Sequence, residues 1–179
     1  MTKAQFNKRL TACKKILKVS KNIGREKFSY AYTINDIQYI CNGYSIVGLT
    51  DYLPLAENPT NEIPDFAFEQ QLNNIGKDAK TALEMPDPKK LKEYIKQSKD
   101  NDGYARYNFG ENLPCVNAEY LLNMMTIFPN VTAHINNEFS NYGALYFEDT
   151  NGNKGGLMPL RKPKEDTEKT DLDRFNVEN

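Results

Sequence analysis

ALYFEDTNGNKGGLMPLR, residues 144–161, is the stretch on which the fold turns. It reads as an aromatic-rich strand, a polar turn on Asp149, Asn151, Gly152 and Asn153, and a second strand running to Pro159 and Arg161. Proline cannot donate to a ladder, so a strand that contains one belongs at a sheet edge. The expectation is an edge hairpin followed by a charged tail.

Upstream, the pattern repeats on a larger scale. Asn117 caps a helix over 118–128 whose Leu121, Leu122, Met125 and Phe128 share a side, Pro129-Asn130 end it, and "VTAHIN" (131–136) reads as a strand. At the other end of the chain, Phe6, Leu10, Cys13 and Leu17 recur at helical spacing and predict a helix over 3–20, with Asn22 and Gly24 as stop signals. Three strand-like runs follow: "FSYAYTI" (28–34), "IQYIC" (37–41) and "YSIVGL" (44–49), separated by Asn35-Asp36 and Asn42-Gly43. Asn-Gly between apolar runs predicts a type I′ turn, which needs positive φ at both central residues. Helix plus antiparallel strands thus occurs twice.

The middle is less regular. Pro54, Pro59, Pro64 and Pro86 interrupt 50–86, where "DFAFEQQLNNI" predicts a short helix. Asp87-Pro88 supplies a cap and a first-turn proline for a helix over 88–99, and "YARYNF" (104–109) reads as a strand. The fold class expected is α+β, with helices packed on antiparallel β-meanders. Residues 1–161 form one domain with a loop and helix insertion at about 50–113, and 162–179 form a disordered charged tail.

Composition narrows the function classes. The chain has 179 residues, 39% of them hydrophobic and 26% charged, with a mean hydropathy of −0.70. A chain of this length buries roughly 70% of its unfolded surface and needs no staples. It contains no apolar run of transmembrane length, and its first residues lack a signal-peptide core, so the expected setting is the cytoplasm and no membrane. Cys13, Cys41 and Cys115, odd in number and without metal-ligand spacing, read as reduced thiols.

Catalytic signatures are missing from the sequence. His134 is the single histidine, leaving a cysteine nucleophile or a zinc site without its usual partners. Asp149, Asn151 and Asn153 imitate the start of a calcium loop, but Lys154 occupies the position of its turn glycine and Leu160 that of its bidentate glutamate. No phosphate-binding glycine loop and no nucleophile elbow occur. The expectation is a non-enzyme without cofactor or metal.

Charge is distributed more informatively. Residues 1–25 hold eight Lys or Arg and no acid, although the whole chain has a net charge of −1. Lys14, Lys18, Lys21 and Arg25 recur at helical spacing, with Lys15 flanking. A row of this kind neutralises backbone phosphates without reading bases. The helix over 88–99 carries a second lysine-rich face, diluted by Glu93.

The phrase Leu157-Met158-Pro159-Leu160-Arg161 resembles the end of the bacterial DNA polymerase III β subunit, the DNA sliding clamp. "VNAEYLLNMMTIFPNVTAHIN" (116–136) is similar to the capped helix and strand of the closing part of a clamp domain, and "LYFEDTNG" to its penultimate strand and turn. "DIQYICNGYSIVGL" (36–49) resembles a clamp strand pair, with Cys41 in place of a threonine and Ser45 in place of an arginine. The resemblance implies a single DNA-clamp-like domain whose first helix faces DNA. It also implies a processivity-type accessory role, with double-stranded DNA and a DNA polymerase or other replication protein as partners. One such domain per chain closes a ring only as a homo-oligomer; the alternative is a protein-interaction module that does not encircle DNA. The small size suits a phage or mobile-element protein.

Overall fold

The structure, a computed structural model, describes residues 1–22, 24–59, 67–98, 104–136 and 143–160. The expected tail over 162–179 lies outside the described residues. The chain forms helices α1 (Lys3–Asn22), α2 (Phe68–Gly76), α3 (Pro88–Gln97) and α4 (Ala118–Ile127). Its strands are β1 (Tyr32–Ile34), β2 (Ile37–Cys41), β3 (Ser45–Leu49), β4 (Ala79–Ala82), β5 (Arg106–Asn108), β6 (Cys115–Asn117), β7 (His134–Asn136), β8 (Leu145–Glu148) and β9 (Lys154–Leu157).

Seven strands make one antiparallel sheet in the order β1-β2-β3-β9-β8-β7-β4, while β5 and β6 make a separate ribbon. The segments α1-β1-β2-β3 and α4-β7-β8-β9 have the same connectivity and meet where β3 pairs with β9. Their helices α1 and α4 pack against each other. The helix-and-meander repeat expected from sequence is therefore arranged as two opposed halves. From the irregular middle, α2 packs on the sheet, β4 pairs with β7 and α3 packs on α4.

The edge hairpin is not what forms. β9 lies in the middle of the sheet, paired with β3 through Val47↔Gly155 and with β8 through Phe147↔Gly155. A strand using both of its edges has no place for proline, and β9 ends at Leu157, before Pro159. The chain then crosses to the ribbon: Met158 N–H donates to Tyr44 O at 2.8 Å and Leu160 N–H to Cys115 O at 2.6 Å. Pro159 occupies the position between these donors.

Both faces of the central strands are covered. Ile40, Val47, Leu49, Leu121, Met124, Phe128, Leu145 and Phe147 belong to the core under α1 and α4. Tyr39, Ile46, Phe68 and Leu72 form a second core under α2, where Phe68 stacks on Tyr39 at 5.3 Å. Period-2 alternation sends neighbouring residues of β2 and β3 to opposite cores.

One hairpin turn departs from expectation. Asn35 (φ 50°) and Asp36 (φ 61°) carry the paired positive φ of a type I′ turn. At the next hairpin only Gly43 is left-handed, at 85°, with Asn42 N–H donating to Ser45 O, the glycine-first pattern of type II′. The expected strand 28–34 begins only at Tyr32, because Glu26–Phe28 form a 3-10 turn.

The caps are as expected. Asp87 accepts from the N–H groups of Lys89 and Lys90, and Asn117 from those of Glu119 and Tyr120. All three cysteines are buried thiols that form no disulfide. Burial pushes the Cys13 thiol up to about 12 and the Cys41 thiol up to about 11, against the pull of Arg9 and of the Gly43 N–H respectively. Only thiolate attacks an alkylating reagent. At pH 8 the folded protein should therefore incorporate no label at these positions, and all three should react in denaturant; mass spectrometry reads the difference, and rapid labelling of the folded protein would contradict their burial.

Candidate nucleic-acid interface

α1 starts with a capping box that sequence reading overlooked. Gln5 N–H donates to Thr2 Oγ1 at 3.2 Å and Thr2 N–H to Gln5 Oε1 at 2.7 Å, the Thr-x-x-Gln pattern legible at residues 2–5. Ala12, Cys13, Ile16 and Leu17 turn inward, and Ser20 Oγ donates to Cys41 O at 3.0 Å, fixing the helix on β2. Lys3, Lys8, Lys14, Lys15, Lys18 and Lys21 are all exposed on the other side. None of them forms an ion pair with a described acid. Like charges at i,i+4, such as Lys14 and Lys18, cost about 0.2–0.5 kcal/mol per pair. Packing on the core carries this helix in spite of its charge.

Arg25 does not continue the row. Gly24, at φ 71°, ends α1 in a Schellman turn: Gly24 N–H donates to Lys21 O and Arg25 N–H to Ser20 O. The chain swings away, and the Arg25 guanidinium lies over the Tyr44 ring at 5.3 Å, with Nη1 3.5 Å from Asn42 O. The structure thus groups Lys14, Lys15, Lys18 and Lys21 and places Arg25 beside the β2–β3 turn. On α3, Lys89, Lys90, Lys92 and Lys96 are exposed, as is Glu93; Lys99 lies outside the described residues.

Sequence reading missed what surrounds Arg25. Tyr44 stacks on Tyr120, at the start of α4, with centroids 5.9 Å apart. Tyr120 lies near Tyr104, and the Arg106 guanidinium sits 5.7 Å over the Tyr104 ring. Burial, then Tyr44, Glu119 and Tyr104, raise the Tyr120 phenol pKa, while Arg25 opposes the rise. Eleven tyrosines were the only sequence signal, and no spacing relates 44, 104 and 120.

The opposite end of the helix pair is different. A cleft of about 790 Å³ opens between the start of α1 and the end of α4, lined by Met1, Lys8, Met125, Val131, His134 and Glu148 among others. At its edge Arg9, alone among the basic residues of α1, points inward: Nη1 lies 3.1 Å from Asp51 Oδ2 and Nη2 3.9 Å from Asp149 Oδ2. Asp149 Oδ1 accepts from the N–H groups of Asn151 and Asn153, and Asn153 Oδ1 accepts from Thr50 N–H at 2.8 Å. The calcium-like loop is thus a polar turn that organises the end of β3 and α1. Among the described residues no group of three His, Cys, Asp or Glu side chains is placed to hold a metal, and no helix is long and apolar enough to cross a membrane.

No family model matches the chain, and neither a curated protein nor a solved structure matches it.

Proposed function

We propose that this protein is a non-catalytic, clamp-like module that associates with the backbone of double-stranded DNA, as an accessory to a DNA polymerase or another replication protein. The observation that carries the reading is the outer face of α1: six exposed lysines and no acid anywhere in residues 1–25. The clamp resemblance of 116–161 adds the context. Two opposed helix-meander halves with packed helices agree with a domain whose first helix faces DNA. Lys14, Lys15, Lys18 and Lys21 contact phosphates from the helix, and Arg25 does so from the neighbouring turn.

Fluorescence anisotropy with two unrelated duplexes tests this. Five phosphate contacts predict the same affinity for both sequences and a fall of about 500-fold between 50 and 200 mM salt. Lys14→Glu with Lys18→Glu, both surface changes, should weaken binding and reduce the salt slope by about two. Absence of binding at low salt, or indifference to the double change, refutes the proposal. Sedimentation of the protein with and without duplex separates a ring-forming homo-oligomer from a module that binds without encircling.

A further inference from the structure

α1 is not alone in carrying an open row of lysines. On α3, Lys89, Lys92 and Lys96 recur at the three- and four-residue spacing that keeps side chains on one side of a helix, and all three are exposed. Glu93 stands four residues after Lys89 and three before Lys96, yet none of the three lysines forms an ion pair with a described acid. Across the helix from the row, Leu91 is buried and Tyr94 Oη donates to Arg106 O at 2.6 Å, which holds the lysines outward.

The two rows border a single helix. Both α1 and α3 pack on α4, and Pro88, the first residue of α3, lines the cleft at which α1 begins and α4 ends. α1 and α3 therefore start from one end and flank α4. α4 is recessed between them: Leu122, Asn123 and Thr126, on the side away from the buried Met124 and Phe128, are only half-exposed. Its one charged residue is Glu119, in the first turn and so at the end away from the cleft. The molecule thus presents two rows of cations with a nearly neutral helix between them.

We infer that α3 is a second phosphate-contacting row, so that the two strands bordering one groove of a duplex are held by α1 on one side and by Lys89, Lys92 and Lys96 on the other. The inference rests on the reading of α1 as a phosphate-contacting face and adds how the duplex lies on it. Packed helices sit 8–10 Å apart, which separates the rows by up to about 20 Å. The major groove is about 12 Å wide, and flexible lysine stems span the remainder to its phosphates as mobile point charges. A single strand has one line of phosphates and cannot engage both rows at once. Duplex DNA carries a regular charge, one per about 1.7 Å of its axis, which an acidic protein surface does not offer to two rows together.

Fluorescence anisotropy with a duplex and with one of its strands tests this. Eight contacts in place of five steepen the fall in duplex affinity between 50 and 200 mM salt to about 20,000-fold. Lys89→Gln with Lys92→Gln and Lys96→Gln should return the fall to about 500-fold and leave single-strand affinity unchanged. Glu93→Lys adds a cation beside the row and should steepen the fall by about a further threefold, a gain that misfolding does not produce. Circular dichroism confirms that the triple variant is folded. Suppose the triple variant keeps the parental salt dependence while Lys14→Glu with Lys18→Glu weakens binding. α3 then stands clear of the DNA and the inference falls, with the reading of α1 intact. Indifference to both sets of changes overturns both. Equal losses for duplex and single strand overturn the placement across a groove. Displacement of the duplex by poly-glutamate at equal charge concentration assigns the α3 row to an acidic protein, and the inference falls.

Discussion

Gly155→Val should reduce unfolding free energy by about 4 kcal/mol, enough to leave a domain of ordinary stability close to its threshold. The reason is contact, not backbone freedom, since Gly155 has no left-handed φ. A Cβ placed there would stand 2.5 Å from a Phe128 ring carbon and 2.6 Å from the Met124 terminal methyl. α4 therefore rests directly on β9, and Phe128 stacks on Phe147 of β8 at 5.7 Å. On the other face of the strand, a Cβ at Gly156 would stand 2.6 Å from Ile75 of α2. Gly155-Gly156 is the thin point at which two helices approach one strand from opposite sides. Gly155→Ala should cost about 1–3 kcal/mol. Phe128→Leu should be less harmful in the alanine background than in the parent, because the smaller side chain gives the new methyl room. Urea unfolding followed by circular dichroism gives all four corners of the cycle. An unchanged midpoint for Gly155→Val would mean that α4 does not lie on β9.

Asp149→Ala has the second-largest expected effect, a loss of about 3–4 kcal/mol. The carboxylate is only 16% exposed, accepts from three donors (the N–H groups of Asn151 and Asn153 and the Asn153 amide), and forms an ion pair with the Arg9 guanidinium at 3.9 Å. Its removal leaves Asn153, fully buried, without the groups that orient it towards Thr50. It also leaves Arg9, 6% exposed, to the more exposed Asp51 alone. Asp149→Asn keeps one oxygen acceptor and discards the charge, and should recover about half of the loss. The same urea series measures both; a change below about 0.5 kcal/mol for the alanine variant would place Asp149 among ordinary surface residues. Neither change touches the lysine face, so DNA affinity of whatever protein remains folded should match that of the parent.

Much of the candidate interface was legible as a line of text. Lysines three and four residues apart, without acids among them, can only share the outer side of a helix whose inner side is apolar. Arg25 defeated that reasoning because periodicity stops with the helix, and Gly24 stops it three residues after Lys21. The contact of Tyr44 with Tyr120 was invisible because the β2–β3 turn and the start of α4 supply one ring each, and only tertiary packing brings the two together.

By itself the sequence determined whatever depends on a few neighbouring residues. The caps at Asp87 and Asn117, the positions of the β1–β2 and β2–β3 turns, the lysine face and the four helices are of this kind, because the groups that make each feature lie close together along the chain. Tertiary structure alone decided the partners. It placed β9 between β3 and β8, joined β4 to β7, turned Arg9 inward to Asp51 and Asp149, and brought Pro159 out of the strand. An edge strand and a central strand carry the same alternating pattern; which of the two a segment becomes is settled by what can pack on its faces. Here Gly155 and Gly156 make the last strand thin enough for helices to close on it from both sides.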